Sequence, residues 1–268
     1  MEDVVIATSD QHADSAPAET QEQQLAFFRS LRARPEVRCI ISVGDLWSLT
    51  LDSSVDAVLA SEHCGRVRDL LRELSETRRV ILVDGNHDPY SAMAPAEFER
   101  FKAWLQAPRI EFAGRQLDTT QVADQWARGI PPALFEHGAD RFDFTTGFWK
   151  VVTSWLRGVF GVGLATKLMK LIVERVVRGK GKTTPSVVRD RDHDSYQALV
   201  ALMHHRMWGW ALRPDSPHRL VVMGHTHFDE ARQKRLRDIT YVNCGAFDGF
   251  GSSYVEITAA DVALNTWQ

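Results

Sequence analysis

The sequence predicts a mixed α/β fold, and two observations carry that prediction. Short apolar runs of four or five residues recur along the chain, and each passes into a cluster of Gly, Asp, Asn or His. Between the first three runs lie stretches whose apolar residues repeat at three and four. Strand, helix, strand, helix is the order of a layered α/β sheet, where functional groups collect at the carboxyl ends of strands.

Taken in order, Val4-Val5-Ile6-Ala7 runs into Ser9-Asp10-Gln11-His12, and Cys39-Ile40-Ile41-Ser42-Val43 into Gly44-Asp45. Val80-Ile81-Leu82-Val83 leads, past Asp84, to Gly85-Asn86-His87-Asp88, and Ala133-Leu134-Phe135 leads, past Glu136, to His137-Gly138. Leu220-Val221-Val222-Met223 runs into Gly224-His225-Thr226-His227. Runs this apolar fit strands buried on both faces, and the clusters suit turns. Residues 21–33, with Leu25, Phe28 and Leu31, and residues 55–74, with Val58, Leu59, Val67, Leu70, Leu71 and Leu74, read as helices. Residues 240–243 and 252–257 read as final strands, with Gly245, Gly249 and Gly251 in turns.

Residues 144–213 break the alternation. Phe148, Val151, Val152, Trp155, Val159 and Phe160 form a helical face, and Leu164, Leu168, Leu171 and Ile172 resume it after Gly161 and Gly163. Between 150 and 182, eight basic residues (Lys150, Arg157, Lys167, Lys170, Arg175, Arg178, Lys180, Lys182) face one acid, Glu174. This predicts a helical cap inserted into one domain spanning 1–268, with 179–185 as its joint and 195–210 as its returning helix.

Composition excludes several classes. With 268 residues, 44% hydrophobic and 25% charged, the chain is neither disordered nor collagen-like. Lys plus Arg (32) nearly balances Asp plus Glu (35), which argues against a general nucleic-acid coat. Cys39, Cys64 and Cys244 lack disulfide or zinc spacing and suit a reducing cytosol. The start is acidic with a short apolar run, so no secretory signal is expected. No run reaches the roughly 18 apolar residues of a membrane span. A cytoplasmic protein is expected. His63, His193 and His218 are expected to be solvated.

The five clusters supply Asp10, His12, Asp45, Asn86, His137, His225 and His227. His204 or His205 is the alternative to His137. Oxygen and imidazole donors without thiolate suit Mn, Fe or Zn rather than a structural zinc knot. Residues two apart on an extended strand point the same way, which would put Asp10 beside His12 and His225 beside His227. The set is too large for one ion with an open position and suits two divalent ions sharing a bridge. Such ions, about 3.5–4 Å apart, make hydroxide available near neutral pH and clamp phosphate oxygens. Against the carboxylates of Asp10 and Asp45 they leave surplus positive charge for an anionic ester.

Asp10-x-His12, Gly44-Asp45, Gly85-Asn86-His87-Asp88, His137-Gly138 and Gly224-His225-Thr226-His227 occur in the order found in calcineurin-like metallophosphoesterases, which the chain thus resembles from Val4 to about Ile257. The resemblance implies a four-layer α/β/β/α sandwich with a helical cap and hydrolysis of a phosphoester or diphosphate bond. It also implies roles: Asp10, His12 and His227 on one ion, Asn86, His137 and His225 on the other, and Asp45 bridging. His87 would serve the phosphate or leaving oxygen as a proton or hydrogen-bond donor, with Asp88 orienting it. Many members carry a second acid in Gly-Asp-x-x-Asp, where this chain has Ser48.

Within that superfamily, His137-Gly138-Ala139-Asp140-Arg141-Phe142-Asp143 is similar to a stretch of the UDP-2,3-diacylglucosamine diphosphatase-like branch, whose helical cap also follows this histidine. That branch usually carries Arg where this chain has His87. The resemblance implies a nucleotide-linked lipid sugar as substrate. Trp149, Trp155, Lys167 and Lys170 would then meet acyl chains, phosphates or an anionic membrane surface at its inner face. The cap's apolar stripe equally suits packing against the sheet domain. The rival readings are a nucleotide phosphodiesterase or nuclease with the same centre, and a scaffold that lost catalysis. No recognisable nucleic-acid motif is present, and every expected ligand position is filled.

Overall fold

The computed structural model describes residues 2–49, 55–107, 109–121, 130–138, 205–226, 233–236, 238–247 and 252–267. It divides into two compact units, Met1–Gly138 with Trp208–Gln268, and Ala139–Met207. Of the second unit, only the helical residues 205–207 are among those described. The expected cap therefore lies, over 144–204, outside the described residues, and with it Trp149, Trp155, Lys167, Lys170 and His204.

The first unit holds two sheets. The first contains β1 (Val4–Thr8), β2 (Val37–Val43), β3 (Arg79–Val83), β4 (Ile110–Gly114), β10 (Ser253–Ile257) and β11 (Val262–Thr266) in the order β11-β10-β1-β2-β3-β4. The second contains β5 (Gln116–Asp118), β6 (Ala133–Glu136), β7 (Leu220–Met223), β8 (Gln233–Leu236) and β9 (Ile239–Asn243) in the order β5-β6-β7-β9-β8. Strands β1 to β4 run parallel, as do β6, β7 and β9, while β10, β11, β5 and β8 pair antiparallel with their neighbours.

Period-two alternation explains why the apolar runs are continuous. Val4, Ile6, Ile40, Val80 and Leu82 face one core, shared with Leu25, Phe28 and Leu31 of α1 (Ala18–Arg32) and Val67, Leu71 and Leu74 of α3 (Glu62–Ser75). The alternate residues Val5, Ala7, Cys39, Ile41, Val43, Ile81 and Val83 face a second core, built with Ala133, Phe135, Leu220, Val222 and Val242 of the other sheet. The first sheet thus packs helices on one face and the second sheet on the other. A strand in that position has no solvent face, so no polar alternation survives in its sequence. The expected mixed α/β architecture of two sheets with helices is present.

Three details differ from the expectations. The single helix expected over 55–74 is two, α2 (Val55–Ala60) and α3. The break falls at Ser61, whose extended backbone starts α3 and whose Oγ accepts the Cys64 N–H, an N-cap that competes with helix continuation. Strands β4, β5, β8 and β11 and helix α4 (Pro95–Leu105) were not expected; the four strands are all edge or half-buried elements with little apolar signal. His63 and His218 are buried rather than solvated: His63 bonds Gln24, and His218 Nε2 lies 3.0 Å from Asp118 Oδ1. The three cysteines are free and buried, and burial pushes their thiols up, away from reactivity. Among the described residues no helix is long and apolar enough to cross a membrane.

Candidate metal centre

Strands β1, β2 and β3 of the first sheet and β6 and β7 of the second deliver their following loops to one place. The loops after β1 and β2 are laced together: Asp10 N–H donates to Gly44 O, Gln11 and His12 N–H to Asp45 O, and Ala13 N–H to Leu46 O. Asp10 and His12 lie beyond the end of β1, so the pleat does not align them. Both instead take left-handed backbone, with φ of 52° and 42°. Asp45 (φ 55°) and His225 (φ 73°) do the same. Four of the five non-glycine residues with positive φ among those described are thus candidate ligands. Asp and His tolerate this region better than most residues, but it still costs energy that surrounding contacts must supply.

Asp45 is central. It is fully buried, and its Oδ1 accepts the His87 N–H at 2.9 Å. Its Oδ2 accepts no hydrogen bond among the described residues, yet lies 3.1 Å from His137 Nε2 and 3.9 Å from His12 Nε2. Two sets of potential ligand atoms, each within 4.8 Å, share this carboxylate: His12, Asp45 and His87, and Asp10, Asp45 and His137. Asp10 thus groups with His137, while His12 groups with His87. His137 and His225 rings meet edge to face at 5.0 Å, as do His12 and His87 at 4.8 Å. Asn86 Oδ1 is 3.0 Å from His137 Nε2. Asn86, His87 and His225 are half-buried and form the open side of the site, whereas Asp10, Asp45 and His137 are buried. His227 lies outside the described residues, and His205 is exposed and belongs to the second unit.

Four of the described ligand candidates are held from behind. His137 Nδ1 lies 2.9 Å from Val43 O, so that nitrogen carries the proton. Asp10 Oδ2 accepts the His225 N–H at 2.8 Å, with Ser9 Oγ at 2.5 Å. Asn243 ties down the loop of His225: its Nδ2 donates to Gly224 O, and its Oδ1 accepts from Thr226 Oγ1 and the Gly245 N–H. Ser48, at the position of the missing second acid, puts its Oγ 3.1 Å from His12 Nδ1, while its N–H donates to Asp14. A side chain on Gly85 would overlap Asp45 Oδ1, and one on Gly224 would overlap Ser9 Oγ. Ser9, Asn243 and the supporting role of Ser48 escaped sequence reasoning, since polar residues at strand ends are common.

Asp88 does not orient the His87 ring. Its Oδ1 accepts the N–H groups of Asp45 and Gly85, and its Oδ2 those of Leu46 and Trp47 and the Tyr90 hydroxyl. It builds the turn that carries Asp45. Burial and the neighbouring Asp45 charge push its carboxyl up to about 8, against the pull of those donors. Asp45 moves the other way: burial would raise it, but His137, His87 and His12 hold it well below the usual carboxylate range.

The donor set can be tested for fit to a cation. His137 Nε2, Asn86 Oδ1 and Asp45 Oδ2 converge, and each is an electron-pair donor unless the imidazole is protonated. Something positive must stand among them. In the metal-free chain that is a proton: burial lowers the His137 pKa, but Asp45 and Asp10 outweigh it and raise it to about 9. A divalent cation satisfies the same atoms, and O and N donors without sulfur fit Mn, Fe or Zn. A coordinating imidazole must be neutral, so cation binding at pH 7 is expected to release this proton. Apparent affinity should rise by up to about tenfold per pH unit and level off near pH 9. Calorimetry of Mn binding in two buffers of different ionisation enthalpy measures the release; none at pH 7 would exclude His137 as a ligand.

No protein-family model and no curated protein sequence matches the chain. Solved structures do. The protein TT1561 of Thermus thermophilus is 11% identical, with all of both chains covered and a TM-score of 0.46. A conserved protein described as a predicted phosphoesterase, from Streptococcus pneumoniae TIGR4, is 15% identical, covering 99% of this chain and 90% of its own, at 0.38. The Pseudomonas putida nuclease MPE is 22% identical over 40% of this chain and 46% of its own, at 0.28. All three scores fall below 0.5 and assign neither a family nor an activity.

Proposed function

We propose that the chain is a metal-dependent phosphohydrolase of the calcineurin-like kind, cleaving a phosphoester or diphosphate bond. The observation that carries this is the buried Asp45 carboxylate, whose Oδ2 lies 3.1 Å from His137 Nε2 and 3.9 Å from His12 Nε2, with Asp10 beside His137. Asp10, His12, Asp45, Asn86, His137, His225 and His227 would hold two divalent ions, Mn foremost, with Fe or Zn as alternatives. When bound, such ions lower the pKa of water toward neutrality and polarise phosphate oxygens. Asp45, common to both donor sets, would be shared between the ions and so fix the register of the two sets. Neutral Asn and His donors preserve net positive charge for an anionic ester. His87, half-buried and edge-on to His12, would serve the phosphate or the departing oxygen as a proton or hydrogen-bond donor.

For the substrate we favour a nucleotide-linked acylated sugar, met at an anionic membrane surface on the cytoplasmic side. The support is the eight-to-one basic excess over 150–182 in the sequence around Trp149 and Trp155, with Lys167 and Lys170 as the residues expected to meet phosphates. The test is turnover with Mn of a panel: an acylated sugar nucleotide, a cyclic nucleotide, single-stranded DNA and a phosphoprotein. The expected result is chelator-sensitive cleavage of the first, with binding to anionic vesicles. Cleavage of DNA or the cyclic nucleotide alone would replace the substrate. Bound metal with no turnover of any would favour a silent scaffold.

A further inference from the structure

Behind the loop of Asp10 and His12 stands a buried amide that the site as described does not use. Gln24, on α1, is 1% exposed. Its Nε2 lies 2.6 Å from Gln11 O and 2.6 Å from Phe247 O. Both partners are backbone carbonyls, which only accept, so the amide must present its NH2 group to them. An amide NH2 has two protons, and each finds one carbonyl. Its Oε1 faces His63 Nε2 of α3 at 3.1 Å. That nitrogen must then carry hydrogen. Burial lowers the His63 pKa, which keeps the ring neutral and leaves one N–H to donate.

We infer that Gln24, oriented by His63, is a positioning residue that locks the turn between Asp10 and His12 into its metal-binding shape. The geometry is a clamp on one residue. Gln11 N–H is held by Asp45 O, and Gln11 C=O is held by Gln24. Both peptide planes between the two left-handed residues are therefore fixed. The second carbonyl extends the clamp: Phe247 N–H donates to Asp10 O, so Gln24 ties the loop after β1 to the segment after β9. Flipping the amide would set its oxygen against two carbonyls. Those carbonyls fix which end is NH2, and the His63 N–H holds the amide oxygen in place without touching the site. Without the clamp, Asp10 and His12 would relax from φ of 52° and 42° toward right-handed backbone, carrying both side chains away from Asp45.

This rests on the metal-centre reading, and the experiment separates the two. Mn affinity is measured by the resonance of free Mn, and the Co-substituted visible spectrum reports ligand geometry. Far-UV circular dichroism and metal-free melting establish folding. Gln24→Met keeps the bulk and removes both donors; it should weaken Mn binding about 10–100-fold, as loss of a group behind a ligand does, and shift the Co spectrum. His63→Phe should do the same in part, and His63→Gln, which restores an N–H, should recover most of the loss. A merely structural pair would lower metal-free melting without the spectral change or the rescue. Wild-type protein that binds Mn beside a folded Gln24→Met that binds it equally overturns the inference alone. Equal impairment by His63→Phe and His63→Gln overturns the orienting role, and these variants carry the test should Gln24→Met not fold. Wild-type protein that takes up none of Mn, Fe, Zn or Co overturns both readings.

Discussion

Asp45→Ala is expected to yield a folded protein that retains neither cation and loses more than about 10³-fold in turnover. The reason is its shared position. Asp45 is the member common to the two donor sets found among the described residues. Its Oδ2 faces both His137 and His12 from the inside of the site. The substitution also leaves the buried His137 imidazolium and the His87 N–H without their carboxylate, so the metal-free protein should melt somewhat lower than the wild type. What disappears is the rise in melting temperature on adding Mn, which scales with the ratio of free cation to its dissociation constant. Elemental analysis and melting with and without Mn check both halves. Retention of two ions by Asp45→Ala would show that the carboxylate does not bridge.

Asp88→Ala is expected to be among the most destabilising single changes in the chain. Its two oxygens serve the N–H groups of Asp45, Gly85 and Leu46 at 2.8–2.9 Å, with the Tyr90 hydroxyl at 2.8 Å. Truncation strands these donors in the interior. At about 1–3 kcal/mol for each orphaned group, the loss is on the order of 5 kcal/mol. Denaturant unfolding would measure it, and a loss under about 1 kcal/mol would mean that water reaches the turn. Asp88→Asn keeps one accepting oxygen and should fall between. A residue whose only task was to steer His87 would instead lower turnover and spare stability.

The parts of this molecule that can be read from the chain are those where residue type and position coincide. Strands β1, β2, β3, β6 and β7 announce themselves because they are buried on both faces, and the polar residues that follow them are too costly to place at random. Edge strands such as β5 and β11 bury less and signal less. The site's ligand candidates were visible one by one, but not their conformation. Asp10 and His12 meet Asp45 through left-handed turns, a property of φ that no pleat predicts. The departure at Ser48 was visible, and its substitute duty toward His12 was not, because a hydroxyl at hydrogen-bond distance requires coordinates. The clamp from His63 through Gln24 spans α3, α1 and the loops after β1 and β9. No local pattern encodes a relation of that range.

The donor sets around Asp45 draw on loops from opposite halves of the sandwich: Asp10, His12 and Asp45 follow strands of the first sheet, and His137 and His225 strands of the second. An ion held there would act as a rivet through two plates joined by an apolar seam and by a few hydrogen bonds such as those of Asp10 with His225 and His137 with Val43. On that reading, losing the ion would also loosen the plates and expose the chain to proteases, so that protein lifetime would gauge mineral supply.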